Sequence, residues 1–129
     1  MNYTGKKKPW YRIDNFLGRV PHDQISDIYN QCHILLKTSI LESFSYPPLE
    51  MMATGGFVVA VPNGGNAEFL RDGSNCLLYG RGDIDAAVSC INRIVNDRGL
   101  RETLYGGGLK TAEERDWSKL TDKVVHLYD

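Results

Sequence analysis

The chain has 129 residues, enough for one modest domain with a real core, and its formal charge is near balanced at −1. That balance argues against a dedicated nucleic-acid or membrane-coating surface, and the one basic run, Lys6 to Lys8, reads as a solvated end. No apolar run approaches membrane-spanning length, no signal peptide is expected, and Cys32, Cys76 and Cys90 read as reduced core thiols of a cytosolic protein, not as a disulfide frame or a zinc site.

From Met1 to Arg12 the chain is polar, basic and poorly patterned, a linker or the frayed remainder of an earlier element. Asn15 to Val20 reads as a short strand ending in Gly-Arg. Pro21 starts a helix on which Ile25, Ile28, Tyr29 and Cys32 recur on one face. His33 to Thr38 predicts the next strand, and a polar turn follows from Ser39 to Tyr46. Pro47 and Pro48 open a helix carrying Leu49, Glu50, Met51, Met52 and Ala53, since proline fits a first helical turn where the missing N–H has no partner to lose. Gly55 and Gly56 stop that helix, and Phe57 to Val61 forms another strand. Strand, loop, helix, strand is one βαβ unit of a parallel sheet.

After Val61 come a glycine-rich loop, a helical turn at Ala67 to Leu70, an Asp72-Gly73 turn and a last strand at Cys76 to Tyr79. Asp83 is expected to cap a helix with an apolar stripe of Ile84, Ala87, Val88, Ile91, Ile94 and Val95. A shorter helix over Leu100 to Tyr105 is expected to stop at Gly106, with Gly107 and Gly108 continuing the break. Ser118 is expected to cap a last helix with Leu120, Val124 and Leu127 on one side. The sum is a single α/β domain, a partial Rossmann-like fold with a parallel sheet of about four strands, flanking helices and a helical C-terminal tail. If earlier strands are missing from such a sheet, the edge at Asn15 to Val20 is expected to be exposed and to support self-association.

Parallel α/β sheets bind ligands beyond the carboxyl ends of their strands, where helix N-termini point unpaired N–H groups at solvent. Glu42 falls on that loop and Glu50 is expected in the first turn of the helix behind it. Two carboxylates then flank a set of backbone donors on one rim. Such a rim suits a ligand with hydroxyls and phosphates, as a nucleotide sugar has.

The run Glu42-Ser-Phe-Ser-Tyr-Pro-Pro-Leu-Glu50, continuing Met-Met-Ala-Thr-Gly-Gly, resembles the E-x7-E motif of retaining GT-B glycosyltransferases of family 4. Pro62-Asn-Gly-Gly-Asn-Ala-Glu68, Asp72-Gly-Ser-Asn-Cys-Leu-Leu-Tyr79 and the aromatic Trp117 are similar to that family's pattern as well, so that the match runs from about Phe16 to Trp117. The resemblance implies retaining transfer of a sugar from a nucleotide-diphosphate donor to a glycan or similar acceptor. Glu50 would accept hydrogen bonds from the ribose hydroxyls. Glu42 would contact donor-sugar hydroxyls and stabilise positive charge at the anomeric carbon, the catalytic role. Ser43, Phe44 and Ser45 would offer backbone N–H groups, although many family members have glycine where Ser45 stands. Gly64 and Gly65 would let the backbone approach the donor, and Glu68 matches a family glutamate. No cofactor or metal is expected, because the class neutralises its leaving diphosphate with basic side chains and helix dipoles.

The resemblance covers only the later part of the second of two Rossmann-like domains. The chain is therefore expected to need a further N-terminal domain for activity, and to act in the cytoplasm or at the inner face of the membrane. Plainer roles stand beside each of these. Glu50 would favour the helix dipole, Glu42 and Glu68 would be solvated acids, and Gly64 and Gly65 an ordinary turn. Tyr46 either packs on the helix start or stacks on a base or sugar. His22, His33 and His126 have no partners at metal-ligand spacing. A GT-B epimerase and a non-catalytic α/β interaction module are the alternative readings of the whole.

Overall fold

The computed structural model describes residues 2–4, 13–116 and 118–119. Trp117 and nearly all of the helix expected from Ser118 lie outside the described residues.

Three parallel strands make the central sheet: β3 (Ile34–Lys37), β4 (Phe57–Ala60) and β5 (Leu77–Leu78), in that order. Ile34 lies opposite Phe57 and Lys37 opposite Ala60, while Val59 and Ala60 pair with Leu77 and Leu78. Helix α2 (Tyr46–Ala53) connects β3 to β4, so the βαβ unit is present. Period-two alternation on β4 divides the core. Val59 and Val61 join Leu77, Tyr79, Ala87, Cys90, Ile94 and Leu104 on one face of the sheet. Val58 and Ala60 join Met51, Met52, Phe69, Leu70 and Cys76 on the other. Helices thus cover both faces, as a parallel sheet requires.

About four strands were expected in one sheet, and the sheet has three. The strand expected at Asn15 to Val20 exists as β2 (Asn15–Gly18), but it pairs in parallel with β1 (Asn2–Thr4) in a separate two-stranded sheet, Asn2 opposite Asn15 and Tyr3 opposite Phe16. Gly18 at φ +63° ends β2 early. Among the described residues the edges of the three-stranded sheet are therefore β3 and β5, not Asn15 to Val20. The segment after Pro21 is a 3-10 turn (His22–Gln24) running into α1 (Ile25–Asn30), whose Ile25, Ile28 and Tyr29 are half-buried as its spacing implies.

Helix α2 begins at Tyr46, with prolines in its next two positions. It ends on Gly55 at φ +78°, where the Gly55 N–H donates to Met52 O and the Gly56 N–H to Met51 O at 3.0 Å each, a Schellman closure. Asp83 caps α3 (Ile84–Asn96), accepting from the Ala86 N–H at 2.9 Å. The buried face of α3 is Ala87, Cys90 and Ile94; Ile84, Val88 and Val95 from the expected stripe are exposed.

The largest departure is α4, which runs from Arg98 to Glu114 without a break. The expected stop at Gly106 does not occur, and the glycine triplet is helical. A side chain on Gly107 would stand 2.1 Å from the carbonyl oxygen of Ser74, and one on Gly108 would meet Met52 at 3.2 Å. These glycines let α4 lie close on α2 and on the Asp72–Cys76 turn. Packing here outweighs the helix propensity that glycine lacks.

Candidate functional site

Glu42 follows β3, on the loop at its carboxyl end, and is held from both sides. Lys37, the last residue of β3, donates from Nζ to Glu42 Oε1 at 2.6 Å and to Ser39 Oγ at 2.7 Å. The Ser45 hydroxyl donates to Glu42 Oε2 at 2.6 Å. Burial works against ionisation, but the Lys37 ammonium, the Ser45 hydroxyl and the Asn63 amide outweigh it and hold the Glu42 carboxyl below the usual glutamate range. The side chain keeps 20% of its surface open.

The loop after β4 supports this arrangement through two buried asparagines. Asn66 Oδ1 accepts from the Asn63 N–H at 2.9 Å, and Asn66 Nδ2 donates to Val61 O at 3.0 Å. Asn63 Nδ2 donates to Ser39 O at 2.8 Å, and its Oδ1 accepts from the Gly65 N–H at 2.9 Å. The two loops meet at Gly65, whose carbonyl accepts from the Ser45 N–H at 2.9 Å. A side chain there would stand 2.8 Å from Glu42 O and 3.0 Å from Phe44 N. Gly65 is bare because the Glu42 loop fills the space a side chain would take. Gly64 is more open, with Glu42 O 3.9 Å from the corresponding point.

One of the expected backbone donors is altered by these contacts. The Ser45 N–H is spent on Gly65, so its contribution is the hydroxyl on Glu42 instead. At the start of α2, Pro47 and Pro48 have no N–H, which thins the set of donors a helix end normally presents. Among the described residues, Ser43 and Phe44 keep N–H groups without a backbone partner. Phe44 packs edge-on against Tyr46 at 4.7 Å and tilted on Phe69 at 5.7 Å. Tyr46 is thereby a packing partner at the helix start, with 48% of its surface exposed.

Glu50 lies in the second turn of α2, not the first, and no acid occupies that first turn. Its Oε2 accepts from the Tyr29 hydroxyl on α1 at 3.0 Å. Burial first, and then the charge of Glu50, push the Tyr29 phenol above its usual range. A cavity of about 360 Å³ opens beside this pair, lined by His22, Asp23, Ser26, Tyr29, Glu50 and Thr54 among others. A larger groove of about 540 Å³ runs along α3 past Asp85, Val88, Asn92 and Arg93, and shares no residue with either acid's surroundings. Glu68 points elsewhere: it is exposed and ion-paired to Arg115 at the end of α4.

Sequence reasoning missed Lys37, Asn63, Asn66 and the polar half of Tyr29. Lys37 was visible as a cation on an otherwise apolar strand, five positions before the acid. Tyr29 was counted for its ring, because periodicity weighs the ring and not the hydroxyl.

The family described as glycosyl transferases group 1 matches residues 14–110. An uncharacterized glycosyltransferase of Methanocaldococcus jannaschii is 28% identical over 97% of this chain and 39% of its own length. A D-inositol 3-phosphate glycosyltransferase of Streptomyces bingchenggensis is 32% identical over 82% of this chain and 23% of its own length. In three dimensions the chain is similar to Anabaena HepE in complex with UDP-glucose, with a TM-score of 0.78 and 25% identity over 88% of this chain and 31% of that one. The chain spans well under half the length of each. No described helix is long and apolar enough to cross a membrane.

Proposed function

The chain belongs to the group 1 glycosyltransferase family, and from that premise we propose that it is the donor-binding part of a retaining transferase that moves a sugar from a nucleotide diphosphate to a glycan or similar acceptor. The observation that carries this reading is the Glu42 carboxylate, held ionised by Lys37 and Ser45 on the loop that follows β3. A fixed anion there meets sugar hydroxyls as an acceptor and lowers the energy of positive charge developing at an anomeric carbon. Glu50 takes the ribose hydroxyls from the cavity between α1 and α2, with Tyr29 setting its orientation. Ser43, Phe44 and Gly64 supply the close backbone approach, and the UDP-glucose complex of the HepE neighbour supports the donor class.

In this reading the chain is the later part of the second domain of a two-domain enzyme. It contributes the donor half of a cleft and needs the other domain for transfer. The diphosphate is met by backbone N–H groups and basic side chains without a metal ion. The buried free thiols of Cys76 and Cys90 suit a reducing, cytoplasmic setting.

Steady-state kinetics of the intact transferase test the site. Glu50→Ala should raise the donor KM by about tenfold with little change in kcat, and Glu42→Ala should lower kcat by about a hundredfold or more. Wild-type kinetics in both variants would remove the assignment.

A further inference from the structure

We propose that Lys37 and Ser45 are positioning residues for Glu42: together they fix the plane and the charge of its carboxylate, and leave acceptor capacity for the hydroxyls of a bound donor sugar. This rests on the reading of Glu42 as a donor contact.

The geometry is specific. One donor meets each carboxylate oxygen, both at 2.6 Å, and the two come from opposite sides of the loop: Lys37 from the end of β3, Ser45 from the residue before α2. An ionised carboxylate has about four acceptor positions, so capacity remains even with the Asn63 amide also acting on it. Neither clamp residue is adaptable. Ser45 is fully buried and tied through its N–H to Gly65, and the Lys37 side chain is 15% exposed and anchored a second time on Ser39. A carboxylate gripped in this way pays little reorganisation when charge develops beside it. Ser45 stands where the resembled motif often has glycine, and its hydroxyl makes that difference a gain in orientation.

The groups facing Glu42 are few. Among the described residues Lys37 is the titratable one; Ser45 and Asn63, from the loops on either side, are neutral. Removing the ammonium should therefore release the carboxyl toward ordinary behaviour, while the burial of the loop remains.

The test is a carbon-13 NMR titration of the Glu42 carboxyl in the wild-type chain, Lys37→Met, Lys37→Arg and Ser45→Gly, with amide spectra confirming the fold. UDP-glucose affinity is measured on the same samples, with Glu42→Gln as reference. Lys37→Met should raise the Glu42 midpoint, and Lys37→Arg should bring it back. Lys37→Met should weaken UDP-glucose binding by about tenfold, with Ser45→Gly intermediate and Lys37→Arg close to wild type. An unchanged midpoint in Lys37→Met overturns the clamp. So does an unchanged affinity there when Glu42→Gln binds poorly. If Glu42→Gln binds as well as wild type, or wild type does not bind, the donor-site reading fails first and the positioning role falls with it.

Discussion

Tyr29 and Glu42 are ionisable side chains whose surroundings shift them in opposite senses, and each ties stability to pH with a definite sign. The Glu42 carboxyl is depressed when folded, so its contribution is present above the unfolded glutamate value of about 4.3 and is lost as pH falls through the folded value. The Tyr29 phenol is raised, so its contribution is present below the unfolded tyrosine value of about 10 and is lost as pH climbs above it. Urea unfolding followed by circular dichroism should therefore show a midpoint that drops on both flanks. Glu42→Gln should flatten the acid flank and Tyr29→Phe the alkaline one. Unaltered flanks in both variants would contradict the two hydrogen-bonded pairs. At this scale the acids were legible because their spacing and the prolines between them form a recognisable run. Their partners were not. Lys37 and Asn63 come from two different strand ends, and only the folded register of β3 against β4 brings those ends together.

Helix α4 tests how far packing overrides propensity. Gly106 has nothing within 4 Å of the point where a side chain would stand, whereas Gly107 has Ser74 O at 2.1 Å. Adjacent glycines thus predict opposite outcomes. Gly106→Ala should stabilise the chain by about 0.5–1 kcal/mol, since alanine favours helix. Gly107→Ala should destabilise it by about 1–3 kcal/mol by forcing α4 off the Ser74 turn. For a domain of this size, that separation amounts to several degrees in Tm, which thermal melts of the two variants would resolve. Equal shifts would mean that α4 does not sit where its glycines place it. The central βαβ unit was readable from local signals: prolines at a helix start, a left-handed glycine past its end, and an apolar run behind. A triple glycine carries the same local signal as a helix stop. What decides against it is a contact with residues more than thirty positions away, which no window along the chain contains. The buried face of α3 was misjudged for a related reason. Six apolar residues fit the stripe, but the sheet covers only one side of it.

The described residues form a three-stranded parallel sheet between helices, with a separate two-stranded sheet, and the exposed features follow from that. Among the described residues β3 bonds only to β4, leaving its other edge open, with Leu36 43% exposed on it. An unprotected edge pairs with another strand when one is offered. Light scattering at rising concentration should show self-association of the isolated chain, and Leu36→Lys should reduce it; a clean monomer throughout would contradict an available edge. The ligand-facing rim is the other exposed feature. There the account stands on a nucleotide sugar meeting the Glu42 loop and the Glu50 cavity, not the larger groove along α3. Amide chemical-shift mapping with UDP-glucose measures this directly. The expected perturbations fall on Ser43, Phe44, Gly64 and the residues around Tyr29 and Glu50. Perturbations confined to the Asp85 to Asp97 face, or none with ligand at millimolar concentration, would contradict it.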